Sequence, residues 1–208
     1  MKVLLLPLGM RCNAAMAINP IVNQPRLPFD WAQMNVNTMV QVFHLSKENT
    51  PSFWESYFSN LDDTNHNKTT GSWLPHDTFS TEEERKISVE KYVRRTIRLQ
   101  ETLTREEHKI FVIFFGFPEP NNMRTLKQLY DIIDEKCKTN YSIIACNVVY
   151  EESILLDMFL IYERLHDTGN EDSDWADMTT RISKRISDIL TKNEYEAIPV
   201  HDNRKNDS

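Results

Sequence analysis

Six consecutive apolar residues, Ile110-Phe111-Val112-Ile113-Phe114-Phe115, constrain this chain of 208 residues more than any other segment. Successive side chains of a strand point to opposite faces, so an uninterrupted apolar run needs cover on both. That is the situation of a parallel sheet enclosed by helices. Val3 to Pro7 has the same character, and so does Tyr141 to Val149, which is rich in Ile and Val. Ile154 to Tyr162 fits either a helix or a further strand, and the strand reading, paired with the previous one through Tyr150 to Ser153, is taken.

Helical patterns fill the intervals. Cys12 to Ile18 reads as a short helix stopped by Asn19-Pro20, and Pro25 and Pro28 hold the next segment extended. Asn35 can cap a helix through Val36, Met39, Val40 and Phe43, and Phe53, Trp54, Tyr57 and Phe58 have the spacing of another. Leu61 to Ser72 is a polar loop, after which Thr81 and Glu84 form a capping box for a long charged helix to Leu103. Asn121 or Asn122 starts a helix whose core face is Leu126, Leu129, Tyr130 and Ile133, and Trp175 to Lys192 repeats Met178, Ile182, Ile186 and Ile189 at helical spacing. The alternation predicts one α/β domain over residues 1–198, with a mostly parallel central sheet flanked by helices, and a polar tail at 199–208.

Composition removes several function classes. A net charge of −7 argues against general binding to nucleic acid or anionic membranes, which need a clustered cationic surface. Phosphate cradles need closely spaced glycines, and Gly9, Gly71, Gly116 and Gly169 are far apart. No HExxH, CxxC or EF-hand spacing is present, so neither a metal nor a cofactor is expected. Three cysteines are too few and odd in number for a disulfide framework, which predicts reduced thiols and a cytoplasmic location. Arg11 interrupts the apolar run after Lys2, so that run is read as a strand; no membrane span is expected.

In open parallel sheets, sites form beyond the carboxyl ends of strands. Cys12 falls there, after the first strand and at the opening of a helix whose free N–H groups, with Arg11, favour a thiolate. Cys137 and Cys146 lie in an amphipathic helix and an apolar strand, where Cys acts as a small hydrophobe. A Cys nucleophile needs a base, and of the six histidines His76, between Pro75 and Asp77 and flanked by Trp73 and Phe79, has the context closest to a site; the plain alternative is a surface loop histidine. Asp30, between Phe29 and Trp31, either caps local backbone N–H groups or orients a catalytic group. Charged runs such as Glu82 to Lys86 read as solvated helix faces.

Leu8-Gly9-Met10-Arg11-Cys12-Asn13-Ala14-Ala15, then Pro28-Phe29-Asp30-Trp31, then His76-Asp77 before a Lys/Arg-containing helix resemble a family described as papain-like cysteine peptidases, a domain of unknown function. Its pattern is roughly Leu-Gly-x-x-Cys-x-x-Ala, Pro-Phe-Asp-Trp and His-Asp, and the likeness runs from residue 3 to about residue 190. The resemblance implies Cys12 as nucleophile, His76 as base, and Asp30 or Asp77 as the group that orients the pair, with Asp30 preferred. Arg11, Asn13, Phe29, Trp31 and Trp73 are then expected to contact a peptide or other acyl substrate. Two further expectations stand beside this one. The chain could be a non-catalytic binding or host-interaction protein with Phe29, Trp31, Trp54 and Trp73 lining a groove, or an esterase-like carbohydrate-modifying enzyme.

Overall fold

The structure, a computed structural model, describes residues 1–9, 12–30, 32–77, 79–115, 121–137, 140–147, 158–161 and 171–200. Five strands, β1 (Lys2–Gly9), β2 (His108–Phe114), β3 (Tyr141–Cys146), β4 (Met158–Ile161) and β5 (Glu196–Ile198), form one sheet in the order β4-β3-β2-β1-β5. Every pairing is parallel. Strand alternation sends Leu4, Leu6, Leu8, Phe111, Ile113 and Ile143 to one core and Val3, Leu5, Ile110, Val112, Phe114 and Ile144 to the other. Each such side chain contributes about 2 kcal/mol by leaving water, so neither face can be left uncovered.

Helices α1 (Asn13–Ile18) and α6 (Glu171–Lys192) cover one face. On the other lie α2 (Val36–His44), α3 (Thr50–Ser59), α4 (Glu82–Leu103) and α5 (Asn121–Cys137). The crossover β2-α5-β3 and the crossover β4-α6-β5 run in opposite directions across the sheet, and their helices sit on opposite faces. That is what right-handed connections require. The expected helix starts are present: Asn35 accepts the Asn37 N–H at 2.8 Å, and Thr81 and Glu84 close a full capping box.

One expectation needs correction. A four-residue link at Tyr150 to Ser153 would give an antiparallel hairpin, but β4 starts at Met158 and runs parallel to β3; residues 148–157 lie outside the described residues. The short strand β5 carries no periodic signal because its three residues are held by pairing with Lys2 to Leu4. Val200 is 1% exposed and joins the core; residues 201–208 lie outside the described residues.

The brevity of β5 matters for the site. Beyond Leu4, β1 has a strand neighbour among the described residues only on the β2 side, which is where a strand tolerates Pro7. The segment after α1 lies along this stretch instead, with Gln24 Nε2 donating to the Leu5 carbonyl at 2.9 Å.

Candidate functional site

The N-termini of α1, α5 and α6 follow the carboxyl ends of β1, β2 and β4. Cys12 is the N-cap residue of α1, and its thiol makes no capping hydrogen bond. It is half-buried, whereas Cys137 and Cys146 are buried. Burial pushes the Cys137 thiol up to about 11 and raises Cys146 well above the usual range. Asn13 is turned away from solvent: its Nδ2 donates to Thr179 Oγ1 of α6 at 2.8 Å, so the amide anchors α1. Arg11 and Trp31 lie outside the described residues.

The two later motifs are brought together. Gln33 N–H donates to the Trp73 carbonyl at 2.9 Å, and Trp73 N–H donates to the Gln33 carbonyl at 2.8 Å. Asn35 N–H adds a bond to Ser72 Oγ at 2.9 Å. Behind this bridge, Asn67 holds the polar loop in shape: its Nδ2 donates to the Tyr57 carbonyl and its Oδ1 accepts from Thr69 and Thr70 N–H. The segment carrying Asp30 and the segment carrying His76 are therefore neighbours, although 46 positions separate those residues.

Helix α4 is the wall behind both segments. Asp77 Oδ2 accepts the Tyr92 hydroxyl at 2.8 Å, and Asp77 Oδ1 pairs with Lys91 Nζ. One turn further on, Arg95 and Arg98 are each 5% exposed, and Arg98 Nη1 donates to the Arg26 carbonyl. Asp30 is itself 5% exposed; its Oδ2 accepts Leu27 N–H at 3.1 Å, and its Oδ1 has no hydrogen-bond partner among the described residues. Burial pushes the Asp30 carboxyl up to about 7, against the Leu27 N–H and the charges of Arg95, Arg26 and Arg98. Of the two roles expected for Asp30, capping its own turn is the one observed.

His76 is exposed. Among the described residues, neither Asp30 nor Asp77 hydrogen-bonds it; both carboxylates are turned onto other groups. The buried arginines escaped the sequence reading because α4 is so charged. Helical spacing contains the signal: Ser88, Tyr92, Arg95, Leu99 and Thr102 form one buried stripe at intervals of three and four.

The aromatics divide differently from expectation. Phe29 is 1% exposed and stacks on Phe43 at 5.9 Å, and Trp54 is fully buried, with Nε1 donating to Thr96 Oγ1 at 2.9 Å. Neither can line a groove. Trp73, 38% exposed, stacks on His66 with ring centroids 5.4 Å apart, and its Nε1 donates to the Thr64 carbonyl.

A second histidine carries a nucleophile-like arrangement. His108 Nε2 lies 2.8 Å from Ser142 Oγ and Nδ1 lies 3.3 Å from Asn140 Oδ1. Asn140 Nδ2 donates to the Glu106 and Glu107 carbonyls, which turns Oδ1 to the ring and makes Nδ1 the protonated nitrogen. Ser142 is only 6% exposed and sits at the amino end of β3, so the trio serves to tie β3 to β2.

Among the described residues, no three His, Cys, Asp or Glu side chains are grouped as metal ligands, and no helix is long and apolar enough to cross a membrane. No family model, curated protein or solved structure matches the chain.

Proposed function

We propose that the protein is a thiol-dependent acyl-transfer enzyme, a hydrolase of peptide, amide or thioester bonds of the kind its three motifs resemble. The observation that carries this is the contrast among the thiols: Cys12 alone of the three is not buried, and it opens a helix just past the carboxyl end of a central parallel strand. Cys12 thiolate attacks the acyl carbonyl, and the His76 imidazolium gives its proton to the leaving group. Water, deprotonated by His76, then cleaves the thioester and restores the thiol. Backbone N–H groups at the start of α1 are the nearest donors for the oxyanion. Asp77 serves by fixing its segment on α4 and Asp30 by capping its own turn, rather than by bonding the imidazole.

The test is the rate of Cys12 alkylation by iodoacetamide from pH 4 to 10, read by mass spectrometry, with and without His76→Ala. A thiol pKa below the ordinary value near 8.5 that rises when His76 is removed supports the pair. An ordinary pKa indifferent to His76, together with no labelling by acyl-directed thiol probes, rejects it.

A further inference from the structure

Between the end of α2, one side of α3 and the loop at 67–70 lies an open groove of about 380 Å³, within the size range of small-ligand sites. None of the described residues lining it is charged, although 26% of the chain is. Along α3 and its two caps the lining repeats Asn49, Ser52, Ser56 and Asn60 at intervals of three and four, while Trp54 and Phe58 go to the core. The facing rim is fixed, because Asn67 ties the loop to the Tyr57 carbonyl and to the Thr69 and Thr70 N–H groups.

Several lining groups are uncommitted. Asn49 occupies the N-cap of α3, where asparagine is a favoured cap, yet its side chain caps nothing. Among the described residues, the Gln41 amide and the Ser56 hydroxyl also make no hydrogen bond, and Asn60 spends Nδ2 on the Ser56 carbonyl and keeps Oδ1. Amides and hydroxyls offer donors and acceptors side by side, which matches a ligand whose own hydroxyls do both. A charged ligand would give up hydration here and meet no counter-charge. Half-buried Phe53, stacked on Tyr57 at 6.1 Å, adds apolar ring surface for the C–H face of a sugar.

We propose that this groove binds a neutral saccharide of one or two rings. Helices α2 and α3 cover one face of the sheet and α1 covers the other, so the proposal stands apart from the acyl-transfer reading.

The experiment records ¹H–¹⁵N spectra of the full chain with methyl glucoside, methyl galactoside, N-acetylglucosamine, maltose and cellobiose at millimolar levels. Glucuronate serves as the charged ring, and adenosine and a blocked dialanine peptide as neutral ligands of other classes. At least one neutral sugar should saturably shift the Gln41 and Asn49 side-chain amides and the Thr69 and Thr70 backbone amides, with glucuronate weaker by about tenfold or more. Asn49→Ala, which breaks no bond within the chain, should weaken binding about two- to tenfold and leave the urea midpoint unchanged. Ser56→Arg places a long charged side chain at the groove and should abolish binding; both positions are exposed, so the variants are expected to fold. The proposal is overturned if no sugar moves these amides, if the shifts survive Ser56→Arg, or if adenosine or the peptide moves them and the sugars do not.

Discussion

Gln33 and Trp73, forty positions apart, exchange two backbone hydrogen bonds and so join the turn at Asp30 to the turn at Asp77. The bridge uses main-chain groups alone, and the Gln33 side chain is exposed. Gln33→Ala should therefore change stability by less than about 0.5 kcal/mol. Gln33→Pro removes the donated N–H and should lower it by about 1–3 kcal/mol, with faster hydrogen exchange at the Trp73 amide. Urea unfolding of the pair checks this, and equal midpoints for the two variants would contradict a coupling role for the bridge.

Tyr92 holds the second turn to α4. Its hydroxyl is buried and donates to Asp77 Oδ2 at 2.8 Å, while its ring packs on Trp54 at 4.8 Å. Tyr92→Phe keeps the ring and takes away one donor from a carboxylate that Lys91 still faces. The expected loss is about 1–3 kcal/mol, the cost of a buried charged acceptor short of one bond. A denaturation midpoint matching wild type would mean that Lys91 alone satisfies Asp77.

These contacts mark the limit of what the sequence reveals. The apolar runs at Val3 to Pro7 and Ile110 to Phe115 are legible because burial on both faces leaves no polar position in them. The caps at Asn35 and Thr81 are legible because each bond spans three residues or fewer. The bridge at Gln33 and Trp73 carries no side-chain signature, since any residue but proline can supply an N–H and a carbonyl. Arg95 is harder to read for a different reason: residue type says solvent, and only its place in the stripe with Tyr92 and Leu99 says core. β5 follows from its partner, as three residues have too little pattern to identify a strand.

The thiols should separate by accessibility. Cys12 is half-buried, Cys146 is enclosed by the sheet core, and Cys137 is held up to about 11 by burial. Thiolate is the reacting form, so the folded protein at pH 8 should take one iodoacetamide adduct, at Cys12. Unfolding in urea should raise the number to three, the full cysteine count. Peptide mapping that finds Cys137 or Cys146 modified as fast as Cys12 before unfolding would place those thiols in a locally opening segment.

Asp30 gives the protein a titration that stability should follow. Its carboxyl is pushed up to about 7 by burial, above the unfolded value near 3.9, so the folded state holds this proton more tightly. A raised folded pKa contributes stability that is fully present below the unfolded value and is lost as pH rises through the folded one. Stability carried by Asp30 should therefore decline between about pH 4 and pH 7, by an amount on the order of 4 kcal/mol, with the lowering by the neighbouring arginines already included. Asp30→Asn cannot ionise and keeps an oxygen for the Leu27 N–H. Whatever its offset from wild type at one pH, its stability curve should lack this decline, so that the difference between the two proteins moves in favour of the variant as pH rises. Urea unfolding at pH 4.5, 6 and 8 checks the sign. A difference that moves the other way would mean that Arg95, Arg98 and Arg26 hold Asp30 ionised, and the cluster would then owe its charge balance to the arginines.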